Sequence, residues 1–586
     1  PGTYDLQVSH QGFLVHRQTG IEVRLGAAVR MDVRLRLGPQ TETIEVEGNS
    51  ALSYDSGDKE EGIAPDTLEA LPLLVSGTVR SSAAFAILMP GVTTGGQGNA
   101  FDARINGGLQ SGDEAVLDGA SMQQGFMSQS GMVSIFSDFP YSPDMLSEIK
   151  VASSSYAPEY GASTSGQIVA VTKSGTDTFH GAVFEYFRHD SLNATPWGQA
   201  EKPRNEQHNF GANLGGPLKL PGLWSDSVKT YFYVDVEGFR QEGAVNRYTI
   251  SIPSLKQRNG DFTDWVDASG NLIPIYDPAT TRVLPDGTVV RDQFMGCDGR
   301  SPNVICPDRF GPLAQEWLQY LPEPTNDGPL NNYTGPPVPD TWGDSNYFFG
   351  RFDTYIGESD HIAVSLWHQR IPRALYSLLP QELSSFAFTD PQNSWVNRLN
   401  WDHTFGPNLL NHVSFGYLNR NEGYGCVNQE FADVLPKIPG VISHDVPPAI
   451  GFSDGFAPWG CGNGLNELNI TTRPTYVLND LLTWVKGSHT VKVGFEYRNI
   501  GGNLHNTWLE QGSFQFDRGA TGLLGVNSGS PIASFLLGAV GNGVMVARET
   551  NTEYPRQEAW IFHLGDTWRA TDRLTLNYGL RWDYFS

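Results

Sequence analysis

The feature that most limits what this chain can become is a strict alternation of apolar with charged or small residues, held over runs of about ten residues. Val491, Val493, Phe495 and Tyr497 alternate with Lys492, Gly494, Glu496 and Arg498. Leu574, Leu576, Tyr578, Leu580 and Trp582 alternate in the same way with Thr575, Asn577, Gly579, Arg581 and Asp583. Phe232, Val234 and Val236 against Tyr233, Asp235 and Glu237, and Val413, Phe415 and Tyr417 against Ser414 and Gly416, repeat the pattern. A period of two gives each strand one greasy and one polar face. A soluble sandwich alternates too, but runs of this length are what a tilted strand needs to cross a bilayer. Connections divide into tight ones, such as Lys486-Gly487-Ser488 and Ala570-Thr571-Asp572, and long ones at about 241–343 and 421–473. That asymmetry belongs to outer-membrane barrels and counts against an ordinary soluble domain.

Composition narrows the partners. With 64 acidic and 39 basic residues among 586, the formal charge is -25, which argues against a nucleic-acid phosphate backbone. Hydrophobic content is 39% with 65 glycines, and the most apolar stretch, Ala533 to Ala547, is too short for a spanning helix. Closed barrels cross membranes without one. No charged, apolar and small-residue export signal opens the chain, so both ends are expected to be internal cuts of a longer protein.

Taken in order, Tyr4 to Val8, Ile21 to Leu25 and Met31 to Leu37 alternate like half-buried strands and suggest part of a small β-domain over 1–38. Residues 39–62 are acidic and poor in large apolar side chains, as a linker would be. Within them Thr41, Glu42, Thr43, Ile44, Glu45 and Val46 form a short extended segment, either plain linker or the last strand of the first domain. Residues 63–174 read as a compact domain of mixed α and β signals: helix starts near Asp66 and over Ser81 to Met89, and short strands at Arg104-Ile105-Asn106-Gly107 and Val116-Leu117-Asp118-Gly119 that run into turns. Gly166 to Asp190 is the seam where a β-branched run gives way, through Ser174 to Asp177, to the first aromatic strand.

The pieces LPLLVSGTVRSSAAFAILMPGV, ARINGG, VLDGA and YSPDMLSEIKVASSSYAPEYGASTSGQIVAVTKSGTDTFHG resemble the plug of TonB-dependent outer-membrane receptors. FRHDSLNA, NFGANLGGPL, TYFYVDVEGFRQ, SIPSLKQRNGDF, IYDPAT and SHTVKVGFEYRN resemble the Oar-like subgroup, and PGTYDLQVSHQGF resembles the late strands of its carboxypeptidase-regulatory-like domain. The resemblance implies a mainly β chain: a partial β-sandwich, an α+β plug carrying Arg104, Asn106, Gly107, Asp118 and Gly119, and over 175–586 about half of a transmembrane antiparallel barrel of about 22 strands. It further implies a bacterial outer-membrane location, an external ligand, and energy delivered by a TonB-type inner-membrane complex. Thr41 to Val46 is then the candidate TonB contact, by strand addition. An adhesion or export component on the same barrel, or a soluble secreted β-protein, is the competing reading.

No cofactor is called for. Gly451-Phe452-Ser453-Asp454-Gly455 matches the nucleophile-elbow pattern, but the flanking prolines deny it the strand and helix that chemistry needs. His361 and His368 fall on opposite faces of a strand, and Asp261, Asp264, Asp267 and Asn271 lack calcium-loop spacing. Trp582, Tyr584, Phe585, Trp395 and Trp401 read as an interfacial girdle. Lys492, Glu496, Arg498, Arg581 and Asp583 should face the lumen. Cys297 with Cys306, and Cys426 with Cys461, are local pairs expected to form disulfides off the strands in an oxidising compartment.

Overall fold

The computed structural model describes residues 2–23, 33–37, 43–47, 59–63, 80, 89–93, 104–108, 112, 114–123, 141–154 and 157–586, the last without 196, 198–201, 203, 222–223, 243–248, 336–343, 376–378, 381–382, 384–387, 427–436, 462–467, 508, 548 and 572. The helix starts expected near Asp66 and over Ser81 to Leu88 lie outside the described residues.

The alternating runs become one antiparallel meander. Its path is His180–His189, Glu206–Pro217, Val228–Glu242, Ser345–Ile356, Asp360–Leu375, Phe388–Gly406, Leu409–Cys426, Thr475–Lys486, His489–Gly501, Arg556–Thr571 and Leu574–Phe585. Among the described residues its first and last strands do not pair, so the sheet is a curved wall and not a closed ring. At one end the links are short, at 357–359, 407–408, 487–488 and 572–573; at the other they are long, at 243–344, 427–474 and 502–555. The third long link was not anticipated, and the second is shorter than expected. The strand Leu409–Cys426 runs past Asn421 and pairs there with Leu468–Thr472, so Cys426 ends a strand instead of lying in a loop.

The faces follow the alternation. Val493 is 47% exposed on the convex side, while Glu496 and Arg498 are 8% and 2% exposed on the concave side. Trp395, Trp401, Trp582 and Tyr584 share the convex side, but Phe585 pairs with buried Ala559 and points inward, which removes it from the expected girdle. No helix among the described residues is long and apolar enough to cross a membrane, a fact with no bearing on strands. Val493→Arg in the full-length protein is expected to cost about 2–4 kcal/mol near the bilayer midplane. Folding yield in bilayers against denaturant checks this, and parent-like stability would reverse the assignment of faces.

A five-stranded domain lies against the concave side. Lys59–Ile63, Leu146–Ser154, Gln167–Thr172, Glu114–Leu117 and Ala120–Ser121 are neighbours in that order. Its core residues Leu117, Met122, Tyr141, Met145 and Ile149 continue into Tyr233, Tyr347, Phe349, Trp367 and Val396 of the wall. The expected linker 39–62 is therefore corrected at its end, while Thr43–Glu47 follows the last-strand reading of that segment. Lys59–Gly62 belongs to the inner domain's sheet, and Thr43–Glu47 pairs in parallel with Val15–Thr19 at the edge of a small sheet with Gly2–Val8. In that sheet the second strand is Val15–Val23, not Ile21 to Leu25, and 33–37 contributes only the bridge of Leu37 to Phe13.

The long connections fold together. Trp265 and Trp317 from the first, Ile450 and Trp459 from the second, and Phe516, Ile532 and Leu536 from the third share one buried cluster, joined by Leu379 and Leu383. Ala449–Phe452 pairs in parallel with Ser513–Phe516, and Trp265 Nε1 donates to the Gly529 carbonyl at 3.0 Å. Cys297 is bonded to Cys306 and Cys426 to Cys461, with Cα atoms 5.3 and 5.8 Å apart, so each bridge closes a local segment of this cap.

Asp277 in the cap accepts from Ala279 N at 2.9 Å and from both terminal nitrogens of Arg309 at 2.8 and 2.9 Å. The Arg309 hydrogen bonds hold its carboxyl below the ordinary range. A depressed carboxylate stabilises above its unfolded value of about 3.9 and loses that contribution as pH falls through the lower folded value. Resistance of this loop to an acid-active protease should therefore hold down to about pH 4 and then fall. Asp277→Asn should abolish the acid step and weaken the loop already at neutral pH.

Candidate functional site

The turn Val116-Leu117-Asp118-Gly119 is where the inner domain is most heavily gripped by the wall. Asp118 and Gly119 adopt φ of 47° and 83°, a left-handed pair that reverses the chain between Glu114–Leu117 and Ala120–Ser121. The Asp118 carboxylate accepts from Thr172 N at 2.9 Å and Thr172 Oγ1 at 2.8 Å, tying the turn to its own sheet. Wall side chains take the rest. Arg351 reaches Asp118 at 3.4 Å and Thr172 Oγ1 at 2.8 Å. Arg398 Nε donates to Leu117 O at 3.3 Å, Asn400 to Asp118 O at 2.9 Å and Asn479 to Gly119 O at 3.1 Å. The His412 imidazole lies over Gly119, where a Cβ would come within 2.7 Å of Nε2.

Behind these contacts the wall is cross-linked. Arg351 pairs with Asp353 at 2.8 Å, His361 bridges Asp353 and Asp402 at 2.9 and 3.0 Å, and Asp402 reaches His412 at 2.6 Å. The chain of groups starts on Asp118 and returns to Gly119. His368, on the opposite face as expected, stacks on Trp395 instead.

Two further buried clusters pin the domain. Arg80, fully buried, sits 4.4 and 4.5 Å above the Phe184 and Tyr186 rings, pairs with Glu237 at 3.0 Å and also contacts Asp144. Burial opposes its charge, but Glu237 and Asp144 outweigh that and raise its pKa. Glu114 and Arg498, each 2% exposed, pair at 2.6 Å; Glu496 shares the guanidinium, Gln123 accepts from it at 2.7 Å, and Ser121 donates to Glu114 at 2.6 Å. Burial raises the Glu114 carboxyl, opposed chiefly by Arg498. Nearer the last strands, Lys492 pairs with Glu159 at 2.8 Å, and Arg581 donates to Glu159 O at 3.0 Å while pairing with Asp583. The inward charges thus meet the inner domain.

The other singled-out residues fall elsewhere. Asn106, at φ 50° beside Gly107 at 71°, donates to Ser153 O at 2.8 Å and steadies the inner domain from its far side, next to exposed Arg104. Asp261 and Asp267 accept from their own loops, at Thr263 N, Ser269 N and Asn271 N, each 2.9 Å away. No group of three metal-ligating side chains occurs among the described residues. Ser453 is hydrogen-bonded to Asp454 within the cap. Sequence reasoning missed Arg80, Glu114, Arg351 and Arg398. Their signal was available for Arg351 and Arg398, as arginines on the polar phase of alternating runs, and absent for Arg80 and Glu114.

A family model described as an outer membrane beta barrel domain matches residues 171–586. The TonB-dependent transporter Oar of Myxococcus xanthus is 29% identical over 238 residues, covering 38% of this chain and 21% of that protein. Among solved structures, the outer-membrane transporter YddB of Escherichia coli superposes with a TM-score of 0.49 at 12% identity, over 90% of this chain and 56% of that one. The alcaligin receptor FauA of Bordetella pertussis gives 0.47 at 9% identity, over 91% and 56%. The chain thus spans little more than half of those structures and a fifth of the curated relative.

Proposed function

Because the chain belongs to the outer membrane beta barrel domain family, we propose that it is the front part of a TonB-dependent outer-membrane receptor, in which the five-stranded domain is the plug. The observation that carries the reading is the grip on Val116 to Gly119: a separate domain is held against the polar inner face by many hydrogen bonds and ion pairs. These polar contacts sit beside a shared apolar core that includes Met122, Tyr141, Tyr233 and Trp367, so releasing the domain requires work, and an energised partner is the source this reading calls for. The cap over the long connections supplies the outer ligand-facing surface, and a TonB-type inner-membrane complex supplies the work that loosens the plug.

The candidate contact for that complex, Thr41 to Val46, includes an edge strand: Thr43–Glu47 pairs only with Val15–Thr19 among the described residues, leaving one side for strand addition. Proline lacks the donor such pairing needs. In the full-length protein, Ile44→Pro should weaken binding of the purified periplasmic domain of a TonB-type protein by about tenfold or more, roughly 1.4 kcal/mol. Unchanged binding moves the contact elsewhere, and no binding to the parent protein overturns the energised-receptor reading.

A further inference from the structure

The convex face of the strand Thr475–Lys486 reads Tyr476, Leu478, Asp480, Leu482 and Trp484, aromatic at either end with a carboxylate in the middle. The face is fixed independently, because the alternate residues point the other way: Val477 is 1% exposed and Asn479 donates to the inner domain's Gly119. Register places Val413 on one side of Asp480 and Phe495 on the other. With Leu478 and Leu482 above and below, the carboxylate is ringed by apolar side chains. Four residues separate it from Tyr476 and four from Trp484; at about 3.3 Å per residue and a tilt of about 40°, each interval is roughly 10 Å along the membrane normal. Asp480 therefore stands midway between two aromatic levels.

Its charge has no counterpart nearby. Among the described residues no hydrogen bond or ion pair reaches Asp480, whereas Asp566, nearer the short links on the same face, takes Tyr578 Oη at 2.6 Å and His489 at 2.7 Å. A carboxylate facing acyl chains without a donor is unfavourable in either protonation state, more so when ionised. The convex lysines and arginines of the described strands, Arg240, Arg370, Lys486 and Arg556, lie toward strand ends, so a second copy meeting through these strands brings no lysine or arginine to this depth. We propose that the patch centred on Asp480 is a lateral docking site for a different membrane-inserted protein, which sets a lysine or arginine against the carboxylate and covers Val413, Leu478, Leu482 and Phe495. The proposal rests on the orientation of the strands in the bilayer and is independent of the transport reading.

The test uses the full-length protein in its native outer membrane, with a photo-reactive residue at Leu482 and with aspartate, glutamate, asparagine or leucine at position 480. Irradiation should give one discrete protein adduct for the parent and D480E. Its yield should fall at least tenfold, roughly 1.4 kcal/mol, in D480N and D480L. Unchanged heat-modifiable gel mobility in all four would show that the barrel is folded. Adducts to lipid alone, to a second copy of this chain, or of equal yield in D480N would overturn the proposal.

Discussion

Arg498→Met should destabilise the association of the inner domain with the wall by about 3–5 kcal/mol, because it strands two carboxylates in a dry site. Glu114 and Glu496 share the one guanidinium, and Glu114 is 2% exposed. Water cannot replace the lost partner, so the cheapest response is proton uptake by Glu114, whose carboxyl burial already pushes upward. The sign of the pH dependence follows. A folded state that keeps a proton the unfolded chain has released loses stability as pH rises above the unfolded value of about 4.3. The variant should therefore be closest to the parent in mild acid and furthest from it at neutral pH. Adding Glu114→Gln should recover part of the loss at neutral pH. Limited proteolysis of the inner domain in the full-length protein, across pH, reads out both effects, and a pH-independent deficit would indicate lost packing instead.

Trp459→Ala is the second large effect, about 3–5 kcal/mol against the folded cap, as for other buried large-to-small changes. Trp459 is 1% exposed, with Phe452 and Phe535 ring centroids at 4.6 and 5.1 Å. Its indole N–H has no acceptor, so Trp459→Phe removes a poorly satisfied donor along with some volume and should cost much less than alanine. Since the cluster unites several connections, the alanine variant should expose cleavage sites in 243–344 and 502–555 as well as in its own link, while the heat-modifiable barrel band persists. Cleavage confined to 427–474 would mean that the connections fold separately.

The wall was legible because its instructions are local. Period-two alternation fixes which face of each strand is greasy, and tight turns such as Lys486-Gly487-Ser488 fix the register of the next. Val493 outward and Arg498 inward need no knowledge of distant residues. The cap was not legible, because Trp265, Trp459 and Phe535 come from three separate links and none sits in a periodic run. Length without periodicity reads as loop, and only the cysteine pairs hinted at order. The turn at Asp118 and Gly119 was visible as a turn. Its grip was not, since Arg351, Arg398 and His412 reach it only once the wall curves around it. Thr43 to Glu47 shows the limit of composition: its acidic residues left plain linker and last strand of the first domain both open, and only the pairing with Val15–Thr19 decides for the strand.

A core assembled from several links also governs how this surface can change over generations or in the hands of an engineer. In a barrel with independent loops, an epitope or a graft from a relative can be exchanged one loop at a time. Here Ala449–Phe452 takes its backbone pairing from Ser513–Phe516, and Gly311 N takes its acceptor from Leu536. A transplant of one link would orphan partners in the others, so these segments should be inherited, recombined and swapped as a single block. Single-site tags belong at exposed tips such as Leu524.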